Sequence, residues 1–142
     1  MIRLPRNLIR NQAGAGVVEF ALLAPTFLMF LFLLLDGGRM MFAKQSLNEL
    51  AAATARCMAT KQASCANTTS TQDWAVARGL ARSNLQLTTS NVVLNTNATC
   101  GGVTNMIQAT VSMTWKKGAM NLLPQSIAPN SLSATACFPT IV

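Results

Sequence analysis

The sequence contains no histidine and no tyrosine, and only four of its 142 residues are acidic. Histidine is the most common side chain for proton transfer near neutral pH, and a pair of carboxylates is the usual substitute. The four acids are far apart in the sequence and suggest no such pair: Glu19, Asp36, Glu49 and Asp73. There is also no phosphate-binding glycine loop. We therefore expect that the protein is not an enzyme and uses no metal or other cofactor.

Basic residues outnumber acidic ones, 11 to four, which gives a net charge of +7. Three of them, Arg3, Arg6 and Arg10, precede a long apolar segment with no acid among them. The basic residues beyond position 70 are few and scattered: Arg78, Arg82, Lys116 and Lys117. Nucleic-acid binding needs a clustered basic patch, so we expect no nucleic-acid partner. The three arginines before the apolar segment instead indicate how the chain is oriented in a membrane.

The apolar segment spans residues 17–35 and carries a single charge, Glu19. As a helix it would be about 28 Å long, close to the ~30 Å of a bilayer core. Because basic residues favour the cytoplasmic side, the arginines before the segment predict a cytoplasmic N-terminus and an outward-facing C-terminal part. The sequence therefore predicts a single-pass protein with the lipid bilayer as one partner.

A secretory signal peptide also has a basic start followed by an apolar region. That region is normally about 7–15 residues long and ends in a small-residue cleavage site. Here it is longer and is followed by Asp36-Gly37-Gly38-Arg39. A secreted, soluble protein would require cleavage near these glycines, and we favour a retained span.

The start of the apolar segment carries a short motif: Gly14, four residues, then Glu19-Phe20, with Pro25 following. This motif, placed between a basic leader and a spanning helix, resembles the prepilin signals of TadE-like minor pilins and pseudopilins of tight-adherence (type IVc) pilus systems. The resemblance implies that a prepilin peptidase cuts between Gly14 and Ala15, so that Glu19 becomes the fifth residue. A cut after Gly16 would make it the third, and Gly14 is the better choice.

The resemblance also implies the partners and the location of the protein. Other pilins or pseudopilins would contact the N-terminal helix, and inner-membrane assembly machinery would take up the protein. It would sit in the bacterial inner membrane with a periplasmic head, act in pilus biogenesis and surface adherence, and reach the surface in the pilus. The alternative is an unprocessed membrane-anchored envelope binding module with an outward-facing head.

Glu19 is the residue with the most specific expected role. An acid near a helix N-terminus gains about 0.3–1 kcal/mol from the helix dipole, whereas an acid deep in a bilayer costs about 2.5–3.5 kcal/mol or more. The interaction with the helix dipole alone therefore offsets only a small part of the cost of placing Glu19 in the bilayer. The resemblance implies that Glu19 pairs with the new α-amino group of Ala15 in a neighbouring subunit, and that Phe20 and Pro25 belong to the same assembly segment.

All four cysteines follow the span, in what we expect to be an oxidising compartment, and an even number there predicts disulfides. Three pairings are possible. We favour Cys57–Cys65, which closes a short loop, and Cys100–Cys137, which ties a strand start to the C-terminal segment. A zinc site fits poorly without histidine or a C-x-x-C pair.

The expected organisation is a basic leader over residues 1–14, an N-terminal helix over 15–60 with its span at about 17–35, and a disulfide-bonded α+β head over 61–142. Pro25 should kink the helix, because proline removes a backbone hydrogen bond. Beyond Gly37 and Gly38 we expect the helix to continue, because apolar residues recur at helical spacing, with Thr54 as the one polar interruption: Ala43, Leu47, Leu50 and Cys57. The polar side consists of Gln45, Asn48, Glu49 and Arg56.

In the head, a polar loop over 61–71 should precede a short helix that ends near Ser83. We expect Thr71 or Asp73 to cap this helix and one face to carry Trp74, Ala77, Leu80 and Ala81, with Trp74 in the core. From Leu85 the apolar period changes to two, which predicts one or two strands over 85–99, a turn at Gly101-Gly102, a strand over 107–115 and a last strand from Leu132 to Phe138. The predicted fold is pilin-like: α+β, with a long N-terminal transmembrane and amphipathic helix packed on a small antiparallel sheet of three or four strands.

The segment between the last two strands is apolar for a surface connection: Met120, Leu122, Leu123, Pro124, Ile127 and Pro129. Two locations are open for it. It covers the core, which we favour, or it contacts the bilayer.

Overall fold

The first helix, α1, is continuous from Ala15 to Ala59 in the structure, a computed structural model that describes residues 15–140. Its 45 residues correspond to a length of about 67 Å. The helix passes Gly37 and Gly38 without a break, so the predicted continuation is confirmed. It also continues through Pro25, and the kink there stays a prediction.

The outer part of α1 is amphipathic as expected. Its four predicted core residues, Ala43, Leu47, Leu50 and Cys57, are all buried, and Leu47 has no exposed surface. Thr54 is also fully buried, and its hydroxyl donates a hydrogen bond to the Leu50 carbonyl at 2.7 Å. This bond lets a polar side chain lie in the apolar stripe without an unpaired donor. The predicted polar side is exposed.

The second helix, α2, runs from Thr68 to Ser83 and begins three residues earlier than the earliest cap we predicted. Its cap is Asn67. The side-chain oxygen of Asn67 accepts a hydrogen bond from the backbone N–H of Ser70 at 2.8 Å, and the backbone N–H of Asn67 donates to the Ser70 hydroxyl at 3.1 Å. The predicted caps, Thr71 and Asp73, were therefore wrong. The reciprocal Asn67–Ser70 pair already satisfies the free amides at the helix start.

The predicted apolar face of α2 was also wrong. The buried residues are Thr71, Ala75 and Gly79, at a spacing of four, whereas Leu80 is 53% exposed. A Cβ on Gly79 would lie 3.0 Å from Cδ2 of Leu50, so only a small residue fits where α2 crosses α1. Close approach of the backbones, and not side-chain hydrophobicity, selects this face. Trp74 is half-buried and packs against the core, as predicted.

Three antiparallel strands follow in the order β1 (Val92–Cys100), β2 (Val103–Thr114) and β3 (Ser131–Pro139). The turn between β1 and β2 is at Gly101-Gly102, as expected, and both glycines have positive φ. Strand β2 is central and buries alternate residues, Ile107, Ala109 and Val111. Leu85 and Leu87 are buried in the connection before β1 but belong to no strand, so the region 85–99 supplies only one.

The core lies between one face of the sheet and the two helices. It includes residues from every one of these elements and from the connection before β1: Ala43, Leu47, Leu50, Ala51, Ala75, Leu85, Leu87, Val92, Val111, Leu132 and Ala134. The opposite face of β2 and β3 is polar, and Thr110 and Thr135 share a hydrogen bond there at 3.0 Å. The architecture is the predicted α+β fold with a long N-terminal helix.

Two disulfides are present, Cys57–Cys65 and Cys100–Cys137, and these are the two pairings that we favoured. The first ties the end of α1 to the turn before α2. The second joins β1 to β3 across the central strand, with a Cα–Cα distance of 6.5 Å. Two strand spacings would amount to about 9.5 Å. Register shifts on both sides of Ala98 interrupt the β1–β2 ladder, and they account for Cys100 reaching the far strand.

Candidate assembly segment on the N-terminal helix

The first half of α1 has apolar side chains on all sides and is exposed along most of its length, and its end near Leu34 and Leu35 adjoins the head. Every large apolar residue from Val17 to Leu35 is exposed except Leu33, which is half-buried. In its most apolar 18-residue stretch, none of the residues is buried. A core helix of a soluble protein would be mostly buried, whereas this segment is apolar and exposed among the described residues. It is long and apolar enough to cross a membrane.

Glu19 lies in this exposed segment, four residues after the start of the helix at Ala15. Within residues 15–140 it makes no hydrogen bond or ion pair. The carboxylate therefore has no partner inside the described chain that could offset the cost of burial in lipid or protein.

Phe20, Pro25 and Ala15, which were also named for assembly or processing, lie at the same end of α1 as Glu19. Phe20 is 72% exposed, and Pro25 is exposed within the helix. The backbone of Ala15 opens α1, whereas Gly14 and the leader, residues 1–14, lie outside the described residues. The structure thus places Glu19, Phe20 and Pro25 on one exposed helical segment, and the position of cleavage stays a prediction.

Asp36 marks the point where α1 reaches the head. A Cβ built on Gly118 would lie 2.5 Å from Oδ2 and 2.9 Å from Oδ1 of Asp36, so the backbone at Gly118 packs directly against this carboxylate. A substitution at Gly118 would displace one of the two. The sequence alone does not connect these two residues, because 82 positions separate them and neither belongs to a recognisable motif.

A groove of about 600 Å³ lies next to this junction. Leu34, Leu35 and Gly38 of α1 form one wall, and Trp115, which follows β2, forms part of another. Trp115 was the last residue of the strand predicted over 107–115; it lies just after β2 and packs against the core. Its position beside the final residues of the apolar segment was not predicted. The sequence signal was the Trp115-Lys116-Lys117 run directly after a strand.

No group of three or more histidine, cysteine or acidic residues that could hold a metal ion occurs among residues 15–140. All four cysteines are in disulfides. Arg78 lies over the ring of Trp74, with its Cζ atom 4.8 Å from the ring centroid. These contacts stabilise the head and form no arrangement for acid–base or nucleophilic chemistry in the part of the chain that is described.

Comparison with protein families gave one result for the N-terminal part of the chain. Residues 14–56 match the model of a family described as TadE-like protein. The resemblance drawn from the Gly14–Pro25 motif is thereby confirmed for this segment. The match begins at Gly14 and covers α1 almost to its end, and it leaves out the sheet and α2. Comparisons with curated proteins and with solved structures found no match.

Proposed function

We propose that the chain is a TadE-like minor pilin or pseudopilin of a Tad-type (type IVc) pilus, and that it acts in pilus biogenesis and surface adherence. One observation carries the proposal. The family match, residues 14–56, begins at the glycine of the prepilin-like motif and coincides with a helix whose first half is apolar and exposed all round. A pilin needs such a segment, since the same surface has to lie in lipid before assembly and against neighbouring subunits afterwards.

The proposed sequence of events starts in the inner membrane. The arginine-rich leader stays in the cytoplasm, the segment 17–35 spans the bilayer, and the head faces the periplasm. A prepilin peptidase then cuts between Gly14 and Ala15 and frees the α-amino group of Ala15. Assembly machinery in the membrane transfers the cleaved protein to the growing pilus.

Glu19 and the freed amine act together in this scheme. A carboxylate and an ammonium group that leave lipid as a pair avoid the cost of two unpaired charges. If Glu19 of one subunit meets the amine of its neighbour, the pair also fixes the axial position of one helix against the next. Cleavage therefore has to precede assembly, because the partner of Glu19 does not exist before the cut.

Two glycine substitutions test the processing step. Gly14→Val should block cleavage, leave the leader attached and abolish incorporation into pili. Gly16→Val is the matched control, because a Cβ at Gly16 would meet no atom within 4 Å, so the added side chain has space. It should be cleaved normally. The readouts are the intact mass of the membrane form and its amount in sheared pili.

The opposite pattern would contradict the proposal. If Gly14→Val were processed and Gly16→Val were not, the cut would follow Gly16 and Glu19 would be the third residue. If neither change affected surface function, the unprocessed membrane-anchored binding module would be the better description, and substitutions in the head would then be the ones that abolish activity.

A further inference from the structure

The end of the sheet that faces the apolar segment can be identified from the strand register. At one end of the β2–β3 ladder Thr114 pairs with Ser131, and at the other end Met106 pairs with Pro139. Trp115 follows the first of these ends and lies beside Leu34 and Leu35. The connection between β2 and β3, residues 115–130, is therefore at the level where the apolar segment reaches the head.

Two further contacts hold this connection against α1. The backbone at Gly118 packs on the carboxylate of Asp36, the first residue after the apolar run. The short 3-10 turn Ala119–Leu122 that follows also contacts α1. The two ends of the connection are joined by a hydrogen bond, in which the backbone N–H of Trp115 donates to the Asn130 carbonyl at 2.8 Å. The segment is thus fixed next to the end of the span.

The connection covers the core only in part. Ala128 is fully buried, whereas Leu122 is 72% exposed and Ile127 60% exposed. Core cover, which we favoured from the sequence, is therefore wrong for these two side chains. They lie at the level where the exposed apolar segment of α1 ends, and exposed apolar residues that are grouped in this way mark interaction surfaces.

The same connection also carries residue types that are found at membrane surfaces. Trp115 is half-buried, Lys116 is exposed, and Lys117 is half-buried. Tryptophan is enriched at the level of lipid headgroups, and lysine extends its ammonium group towards them while its stem lies along apolar surface. Basic side chains also attract anionic headgroups. We call these five residues the membrane-proximal collar: Trp115, Lys116, Lys117, Leu122 and Ile127.

We infer that the membrane-proximal collar rests on the bilayer, with Leu122 and Ile127 in the boundary between headgroups and acyl chains and the two lysines at anionic headgroups. The inference rests on the proposed function in one respect, that residues 17–35 span the membrane. A lipid surface is favoured over a second copy of the chain because the collar continues the apolar surface of the span at the point where it leaves the bilayer. The contact would hold the head at a fixed height and tilt until the subunit is withdrawn into a pilus.

Quenching by brominated lipids tests this directly. The full chain is reconstituted in bilayers of phosphatidylcholine and phosphatidylglycerol, with bromine near the top of the acyl chains. Both native tryptophans, Trp74 and Trp115, are replaced by phenylalanine, and one new tryptophan is introduced at a time. Leu122→Trp reports on the collar. Val103→Trp is the matched control, because Val103 is also apolar and 58% exposed but lies beside the turn at the opposite end of the sheet.

Emission from Leu122→Trp should be quenched several-fold more strongly than emission from Val103→Trp, and its spectrum should shift to shorter wavelength. Equal quenching of the two would overturn the inference. A blue shift without quenching, growing with the protein-to-lipid ratio, would also overturn it, because a second copy of the chain and not lipid would then cover Leu122.

Phe27→Trp, in the middle of the proposed span, separates this inference from the proposed function. It is measured in bilayers brominated near the ends of the acyl chains, because a tryptophan at the bilayer centre lies too deep for bromine near their top to quench it strongly. Strong quenching at Phe27→Trp with none at Leu122→Trp would retain the span and reject the collar. An absence of quenching at Phe27→Trp would reject both. A second pair of variants keeps the native tryptophans: Leu122→Asp should lower quenching of Trp115, whereas Val103→Asp should leave it unchanged.

Discussion

The two halves of α1 belong to one unbroken helix, but they differ in whether the rest of the described chain buries them. Residues 16–35 are apolar on every side and are exposed, whereas residues 43–59 bury a single stripe under the head and expose a polar side. The buried stripe consists mainly of small residues, such as Ala51, Ala55 and Ala59, which allow α2 and the sheet to approach closely. The second half is thus stabilised by its own chain, and the first half depends on its surroundings.

This difference separates folding from assembly. Substitutions in the second half should change the stability of the head, and substitutions in the first half should change membrane insertion or incorporation into pili. The first three of the following predictions compare a residue in one half with a matched residue in the other, and the last compares a glycine of α2 with a glycine of α1.

The largest effect is expected from the two glutamates. Glu19→Gln removes one member of the proposed ion pair and leaves the Ala15 amine unpaired in an apolar interface, which costs about 3–5 kcal/mol. Incorporation into pili should fall by at least two orders of magnitude, as measured by immunoblotting of sheared pili. Glu49→Gln is the control. Glu49 is exposed and accepts only a hydrogen bond from Gln45 at 3.1 Å, so incorporation should be unchanged.

A second comparison uses two leucines. Leu47 has no exposed surface, so Leu47→Ala should lower the free energy of unfolding of the head by about 2–5 kcal/mol, through lost burial and a cavity. Leu28 is 51% exposed, and Leu28→Ala should leave that free energy unchanged. Denaturant titration in lipid nanodiscs, followed by tryptophan emission, measures both. An equal loss of stability in the two variants would show that the halves are not independent.

Charge substitutions test whether the first half of α1 spans the membrane. Leu28→Lys should oppose insertion by about 2.5–3.5 kcal/mol, since Leu28 is near the middle of the span. The fraction of protein that resists carbonate extraction from membranes should fall. Ala52→Lys adds the same charge at an exposed position of the second half and should leave that fraction unchanged. Retention of both variants in the membrane would argue that residues 17–35 are not the span.

The smallest effect is expected at two helical glycines. In Gly79→Ala the new methyl group would meet Leu50 and Leu87 at 3.0 and 3.2 Å, which costs about 1–3 kcal/mol and is offset in part by the higher helix propensity of alanine, about 1 kcal/mol. The head should be destabilised by up to about 2 kcal/mol. Gly38→Ala meets nothing within 4 Å and should be neutral or slightly stabilising. Thermal unfolding of the two variants checks the difference.

Local patterns in the sequence predicted most of the fold. The helical spacing of Ala43, Leu47 and Leu50 identified the buried stripe, and the alternation in β2 and β3 identified the central and last strands. These predictions succeeded because one period governs each segment and one face is buried. The continuation of α1 past Gly37 and Gly38 was predicted from the helical spacing of the apolar residues that follow the glycines.

Features that depend on tertiary contacts were not predicted. The buried face of α2 is selected by the space available at Gly79, which depends on Leu50 in another element. The position of Leu85 and Leu87 in a connection is set by the core that they fill and not by their alternation. The site follows the same division: the Gly14–Pro25 motif was evident in the sequence, whereas the contact of Gly118 with Asp36 and the membrane-proximal collar depend on the fold.

The central claim is that the first half of α1 becomes an assembly surface only after the leader is removed. The most direct measurement is the intact mass and N-terminal sequence of the protein isolated from its native membrane and from pili. We predict that the chain begins at Ala15 in both fractions. A chain in the pili that still carried residues 1–14 would contradict the claim.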